Sequence, residues 1–224
     1  MNRNFVDVIT ARLESPLVAA VGTNPNEKSD LLVISENDFN DFVTFSTNDA
    51  LVHGLEVVVS DDAVIVQGIV RTGIAFRNRS DFFAKTAELI QGKITHPEVR
   101  PWSVGPWLPE AYCADIAGSQ LIIGDSEQYD STVKELKRYP EVLSKSIQNA
   151  CIKEIELKTN ILQNVNLAPL QISVLSSDVC MASIRRLFAS ERVYFRGLKY
   201  IEESAEMLSD KTKEHVMSLL HLNH

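Results

Sequence analysis

Between residues 17 and 70 the apolar residues arrive in short bursts: LVAAVGT (17–23), DLLVIS (30–35), DFVTFST (41–47), LEVVVS (55–60) and AVIVQGIV (63–70). Each is strand-length, rich in branched side chains, and lacks the three-to-four-residue spacing of an amphipathic helix. DLLVIS does not alternate, which suits a strand buried on both faces. Polar turn chemistry separates the bursts at NPNEKS (24–29), ENDFND (36–41) and Asp61-Asp62. A chain built this way must spend its first third on a small sheet of about four strands. Ahead of it, Phe5, Val8, Ile9 and Leu13 share one helical face, and Ser15-Pro16 ends that helix.

After residue 70 the texture changes. RTGIAFRNRS (71–80) reads as a polar, basic connection, and SDFFAKTAELIQG (80–92) as a helix closed by Gly92. Residues 95–110 hold several prolines and both Trp102 and Trp107, and read as an irregular segment packed by its aromatics. QLIIGDS (120–126) is one more short extended piece. From residue 130 the period becomes helical. Pro140-Glu141 starts a helix in which Leu143, Ile147, Cys151 and Ile155 recur at i, i+4. NLAP (166–169) breaks the run. A second long helix covers 170–190, Gly197 separates it from LKYIEESAEMLS, and a last helix covers about 210–222. The expected fold is α/β: an N-terminal mixed sheet with flanking helices over residues 1–125, then a C-terminal helical bundle over 126–224.

Charge follows the same division. The formal net charge of −8 comes wholly from residues 1–70, which carry 11 acidic and 3 basic side chains; the remaining 154 residues are balanced. A net-acidic chain lacks the cationic surface that nucleic-acid binding rests on. No apolar run approaches the ~20 residues of a bilayer span, and no signal-peptide layout is seen, so a cytoplasmic protein is expected. Cys113, Cys151 and Cys180 have neither the number nor the spacing of a disulfide framework or zinc site.

One ordered set of residues points to chemistry. A strand ends at Gly22-Thr23, a tight loop carries Lys28, and the next strand opens Ser29-Asp30-Leu31. A later strand carries Leu55-Glu56-Val57, and a helical region follows. This order resembles the polymerase-β-like nucleotidyltransferase superfamily, in particular its small bacterial members with a C-terminal helical domain. The resemblance implies that Gly22 and Thr23, with Lys28 and Ser29, hold nucleotide phosphates. It implies that Asp30 and a third carboxylate on a neighbouring strand, Glu56, bind Mg²⁺. The activity implied is Mg-dependent transfer of a nucleoside monophosphate from a nucleoside triphosphate to a small-molecule or protein acceptor. The residue types suit that chemistry: phosphoryl transfer depends on charge neutralisation and in-line positioning, Mg²⁺ prefers carboxylate oxygens, and glycine admits close approach to phosphate. No general base is identified.

The family's second carboxylate falls two residues after Asp30, where a strand turns the same face back, and this chain has Leu32 there. Asp38 and Asp41 lack the spacing to replace it. A second reading is therefore an inactive pseudo-nucleotidyltransferase that binds a ligand or a protein partner. A third is a helical interaction protein whose sheet is a homodimer platform. In the C-terminal part Leu187, Phe188, Tyr194, Phe195, Gly197 and Lys199 also resemble the bundle attached to several nucleotidyltransferase families. Arg192, Tyr194 and Lys199 read either as packing residues or as nucleotide contacts. Arg71, Arg77 and Arg79 read either as a solvated loop or as phosphate contacts, and His53 as a turn residue. An RNA-cleaving Arg-x4–6-His motif is missing around Arg185, Arg186 and Arg192.

Overall fold

The structure, a computed structural model, describes residues 11, 13–21, 30–37, 55–60, 63–68, 73–94, 98–99, 106–125 and 127–221. In chain order the described elements are β1 (Leu17–Val21), β2 (Asp30–Ser35), β3 (Leu55–Ser60), β4 (Ala63–Gly68), β5 (Gly73–Asn78), α1 (Arg79–Ile90), β6 (Glu98–Val99), β7 (Pro106–Trp107), α2 (Pro109–Ala117) and β8 (Gln120–Ile123). There follow α3 (Glu127–Lys137), α4 (Glu141–Asn164), α5 (Pro169–Ser190), a 3-10 turn (Leu198–Tyr200), α6 (Ile201–Ala205) and α7 (Asp210–His221). The expected helix over residues 1–14 and the expected strand over 41–47 lie largely or wholly outside the described residues.

The chain is α/β and divides into two compact units, but not by a single cut after residue 125. One unit comprises residues 1–87 and 115–137, and the other residues 88–114 and 138–224. The segment 88–114 therefore belongs with the C-terminal helices, and α3 with the sheet.

Among the described residues the first unit holds a six-stranded mixed sheet in the order β3-β4-β5-β2-β1-β8. β2 runs parallel to β5, and every other neighbouring pair is antiparallel. β1 and β2 are buried along nearly their whole length, from Leu17 to Ala20 and from Leu31 to Ser35. That burial accounts for their unbroken apolar sequences: neither offers a face to water. β5 is the strand that the sequence hides. Arg71, Arg77 and Arg79 give GIAFRN a basic look, yet Phe76 and Arg77 are both buried. The polar end of β2 is pinned locally. Ser35 Oγ hydrogen-bonds the Glu14 carbonyl at 3.2 Å, and Asn78 Nδ2 donates to the Asn37 carbonyl at 3.1 Å. Asn78 Oδ1 in turn accepts from the Ser80 backbone N–H at 2.9 Å at the start of α1. Helix α3 buries Tyr129, Val133 and Leu136. The Tyr129 ring stacks on Phe82 at 6.1 Å, and its hydroxyl shares a 2.6 Å hydrogen bond with Ser119.

Among its described residues the second unit is helical apart from the two-residue β6–β7 ladder. Gly92 (φ 78°) ends α1 in the left-handed conformation, with Gly92 N–H to the Leu89 carbonyl at 2.8 Å and Lys93 N–H to that of Glu88 at 2.9 Å. A Cβ at Gly92 would lie 2.6 Å from Ser146 Oγ, so this glycine serves both turn and packing. Leu108, Ala111, Ile184, Phe188, Phe195, Ile201, Ala205, Leu208 and Val216 form one core cluster. Helices α4 and α5 form an antiparallel hairpin, closed at its base by Ser144 Oγ donating to the Ala189 carbonyl at 2.7 Å.

Candidate functional site

The nucleotide-site expectation centres on β2. Gly22, Thr23, Lys28 and Ser29 lie outside the described residues, as do His53, Asp38, Asp41, Arg71 and Trp102. Asp30 is the first residue of β2 and pairs with Val21. Glu56 is on β3 and pairs with Gln67 of β4, which pairs with Gly73 of β5. The β2–β5 register, Leu31 opposite Ile74, brings Asp30 level with Gly73. Asp30 and Glu56 thus share one row across the sheet, but β5 and β4 stand between their strands.

That spacing corrects one expectation: the Glu56 strand is not the neighbour of the Asp30 strand. Three inter-strand steps separate their backbones by about 14 Å. Two catalytic metal ions sit roughly 4 Å apart and share ligands, so among the described strands a further ligand beside Asp30 would have to come from β1 or β5. Neither supplies one, since β1 reads LVAAV and β5 reads GIAFRN. Leu32 occupies the position two residues after Asp30. It is 6% exposed and pairs with Ala19 and Ala75, so this level of the sheet is apolar on both sides. Among the described residues no group of three or more His, Cys, Asp or Glu side chains is placed to hold a metal ion.

Basic residues near this sheet are engaged or enclosed. Arg79 pairs with Glu36 at 3.3 Å and lies 5.9 Å from the Phe83 ring, and Arg77 is buried.

The second unit holds the cluster that the sequence does not announce. Glu110, in the first turn of α2, is 1% exposed and accepts from Arg185 Nε of α5 at 2.5 Å; Arg185 is itself 12% exposed. Arg185 also lies 3.8 Å from Glu154 of α4. Lys158, one turn on, bridges Glu154 at 2.5 Å and Asp178 at 2.8 Å. The charges alternate in sign along the helix–helix seam, and each has a partner. Such a chain is a fastening, with no vacant cation or carboxylate directed at a ligand.

Beside it, the rings of Tyr139 and Tyr194 stack at 4.1 Å. Burial, and then the Glu110 charge, push the Tyr139 hydroxyl well above the usual phenol range, and burial does the same to Tyr194. The buried Cys151 thiol is pushed up to about 11 by burial. Near neutral pH all three groups are protonated, so Cys151 is no nucleophile there. Arg192 donates from Nε to the Tyr139 carbonyl at 2.9 Å and from Nη2 to the Arg138 carbonyl at 2.8 Å. Arg192 and Tyr194 are thereby committed to holding the α3–α4 connection, which favours their packing reading. Lys199 remains at the surface, 4.9 Å from the Tyr200 ring, with Arg196 at 4.5 Å from the same ring.

Sequence signals for the Glu110–Arg185 pair are weak, because 75 positions separate its members. No described helix is long and apolar enough to cross a membrane. Compared with known proteins, the chain matches no family model and no curated protein.

Proposed function

We propose that this protein is a nucleotidyltransferase-like module that binds a partner and does not transfer nucleotides. One observation carries the reading. β2 begins with Asp30 but has buried Leu32 where a second metal ligand would stand, and both strands that flank it lack a carboxylate. A lone carboxylate at a strand end does not assemble a two-metal centre. The order of β1, loop, β2 and later helices supports the resemblance in architecture, and the apolar interior of the sheet supports its loss of chemistry. The partner that fits is a protein with a basic surface, because residues 1–70 carry 11 acidic side chains against 3 basic ones. Without a bound metal that field repels a triphosphate and attracts a cation-rich surface.

Isothermal titration with ATP, GTP, CTP and UTP, each with and without Mg²⁺, tests the reading. The expected result is no Mg-dependent binding, together with salt-sensitive binding of a lysine-rich peptide. Mg-dependent nucleotide binding that disappears in Asp30→Ala would restore the enzyme reading.

A further inference from the structure

The α4–α5 hairpin is anchored at one end only. Towards its base it buries Leu143, Ser144, Ile147 and Cys151 on α4, and Ala182, Ile184, Phe188 and Ala189 on α5. Between Ile152 and Met181, through the loop and back, every residue is half-buried or exposed. This stretch is nevertheless apolar. Leu157 is 61% exposed and Leu170 is 76% exposed, and Val165, Ile172 and Val174 are about half exposed. Leu157 and Ile161 follow at i, i+4 along α4, Val165 caps its end, and Leu170 and Val174 follow at i, i+4 along α5. Solvent-facing helices ordinarily carry charge on such positions. Here residues 159–177 contain no Asp, Glu, Lys, Arg or His at all.

We propose that the outer half of this hairpin is a homodimerisation surface, covered by the same hairpin of a second copy of the chain. Two antiparallel helices with open apolar flanks are half of a four-helix bundle, and an identical hairpin supplies the other half. Charge argues for this occupant. A two-fold interface sets a patch against itself, so any charged residue near the axis meets its own like. A patch without charge from residue 159 to 177 meets no such penalty, whereas it offers nothing to steer or select a charged partner. Area contributes. Leu157, Val165, Leu170 and Val174, each more than half exposed, present roughly half of the ~800 Å² that each partner contributes to a standard interface, while Ile172 lies on the other face of α5. Half-buried Ile161, one turn after Leu157, adds to the same side. The charged residues Lys153, Glu154, Glu156, Lys158 and Asp178 fall at the inner limit of the patch, where a polar rim is expected.

The test is sedimentation equilibrium of the full chain at micromolar concentration, for the wild type, Leu157→Glu, Leu170→Glu and the control Leu198→Glu. Leu198 is also half exposed but lies outside the hairpin. The wild type and the control are expected at twice the mass of one chain. Each hairpin variant is expected to weaken association at least tenfold while keeping its far-UV circular dichroism, because neither leucine is buried. A wild type that is a single chain at every concentration overturns the proposal, including one that instead floats with phosphatidylcholine vesicles. So does a dimer that survives both hairpin substitutions.

Discussion

Around Leu32 the sheet unit is apolar, whereas the helical unit buries an ion pair. The centre of the sheet, β1, β2 and β5, sets Leu32 among alanines at the level where a metal site needs carboxylates. The helical unit takes a glutamate and an arginine out of water and pairs them, and it extends the pairing to Glu154, Lys158 and Asp178. Burying charge is expensive unless every charge has its counterpart. The closed pairing in the helices is thus a structural device, and among the described residues the sheet brings together no group of acidic, Cys or His side chains for a metal. Enclosure of an ion pair alone does not mark an active site; an ionisable group left for a ligand does.

The comparison breaks most visibly at Arg185. Arg185→Met leaves Glu110 buried without its partner and is expected to destabilise the helical unit by about 3–5 kcal/mol, read as a lowered denaturant midpoint. Glu110→Gln/Arg185→Met is expected to recover most of that loss. If Arg185→Met is neutral, Glu110 is not as enclosed as described. In the sheet, Leu32→Ala removes packing and is expected to cost about 2–5 kcal/mol by the same measurement. A Leu32→Ala variant as stable as the wild type would mean that position 32 is not a core position.

A smaller effect sharpens the helical side. Arg192→Ala deprives the Tyr139 and Arg138 carbonyls of their donors, with an expected loss of about 1–2 kcal/mol. Alkaline pH acts on the same neighbourhood. The folded state keeps the Cys151 thiol protonated up to about 11, while the unfolded chain releases that proton from the ordinary thiol range upward. The unfolded state then binds fewer protons, so stability falls as pH rises through that window and is unaffected below it. Tyr139 and Tyr194 add a loss of the same sign above the ordinary phenol range. Urea titrations at pH 7.5 and at pH 10 check the direction; a rising midpoint would contradict it.

Much of this architecture is legible in the sequence where structure is local. β1, β2, β3 and β4 follow their apolar bursts, and α4 and α5 follow their i, i+4 spacing to within a few residues. Gly92 ends α1 as its type suggests. Two elements were hidden for opposite reasons. β5 is masked by Arg77, which is buried, and by the arginines that flank it in sequence. α2 is masked because it is apolar almost all round: Ala111, Tyr112, Cys113, Ala114, Ile116 and Ala117 are buried, leaving no polar face to set a period. What no local pattern carries is the order of strands. Nothing in LEVVVS tells that β3 sits at the sheet edge, three steps from β2, and nothing near Glu110 tells that Arg185 will meet it. The strand positions of Asp30 and Glu56 were therefore readable, but not the separation of their strands.

That geometry has a direct measure. Mn²⁺ titration followed by electron paramagnetic resonance, on the wild type, Asp30→Ala and Glu56→Ala, reads whether the two positions converge on metal. The expected result is only weak, uncoupled Mn²⁺ binding that neither substitution changes. A tight, spin-coupled Mn²⁺ pair lost in both variants would contradict it, because positions three strands apart would then be acting as one site.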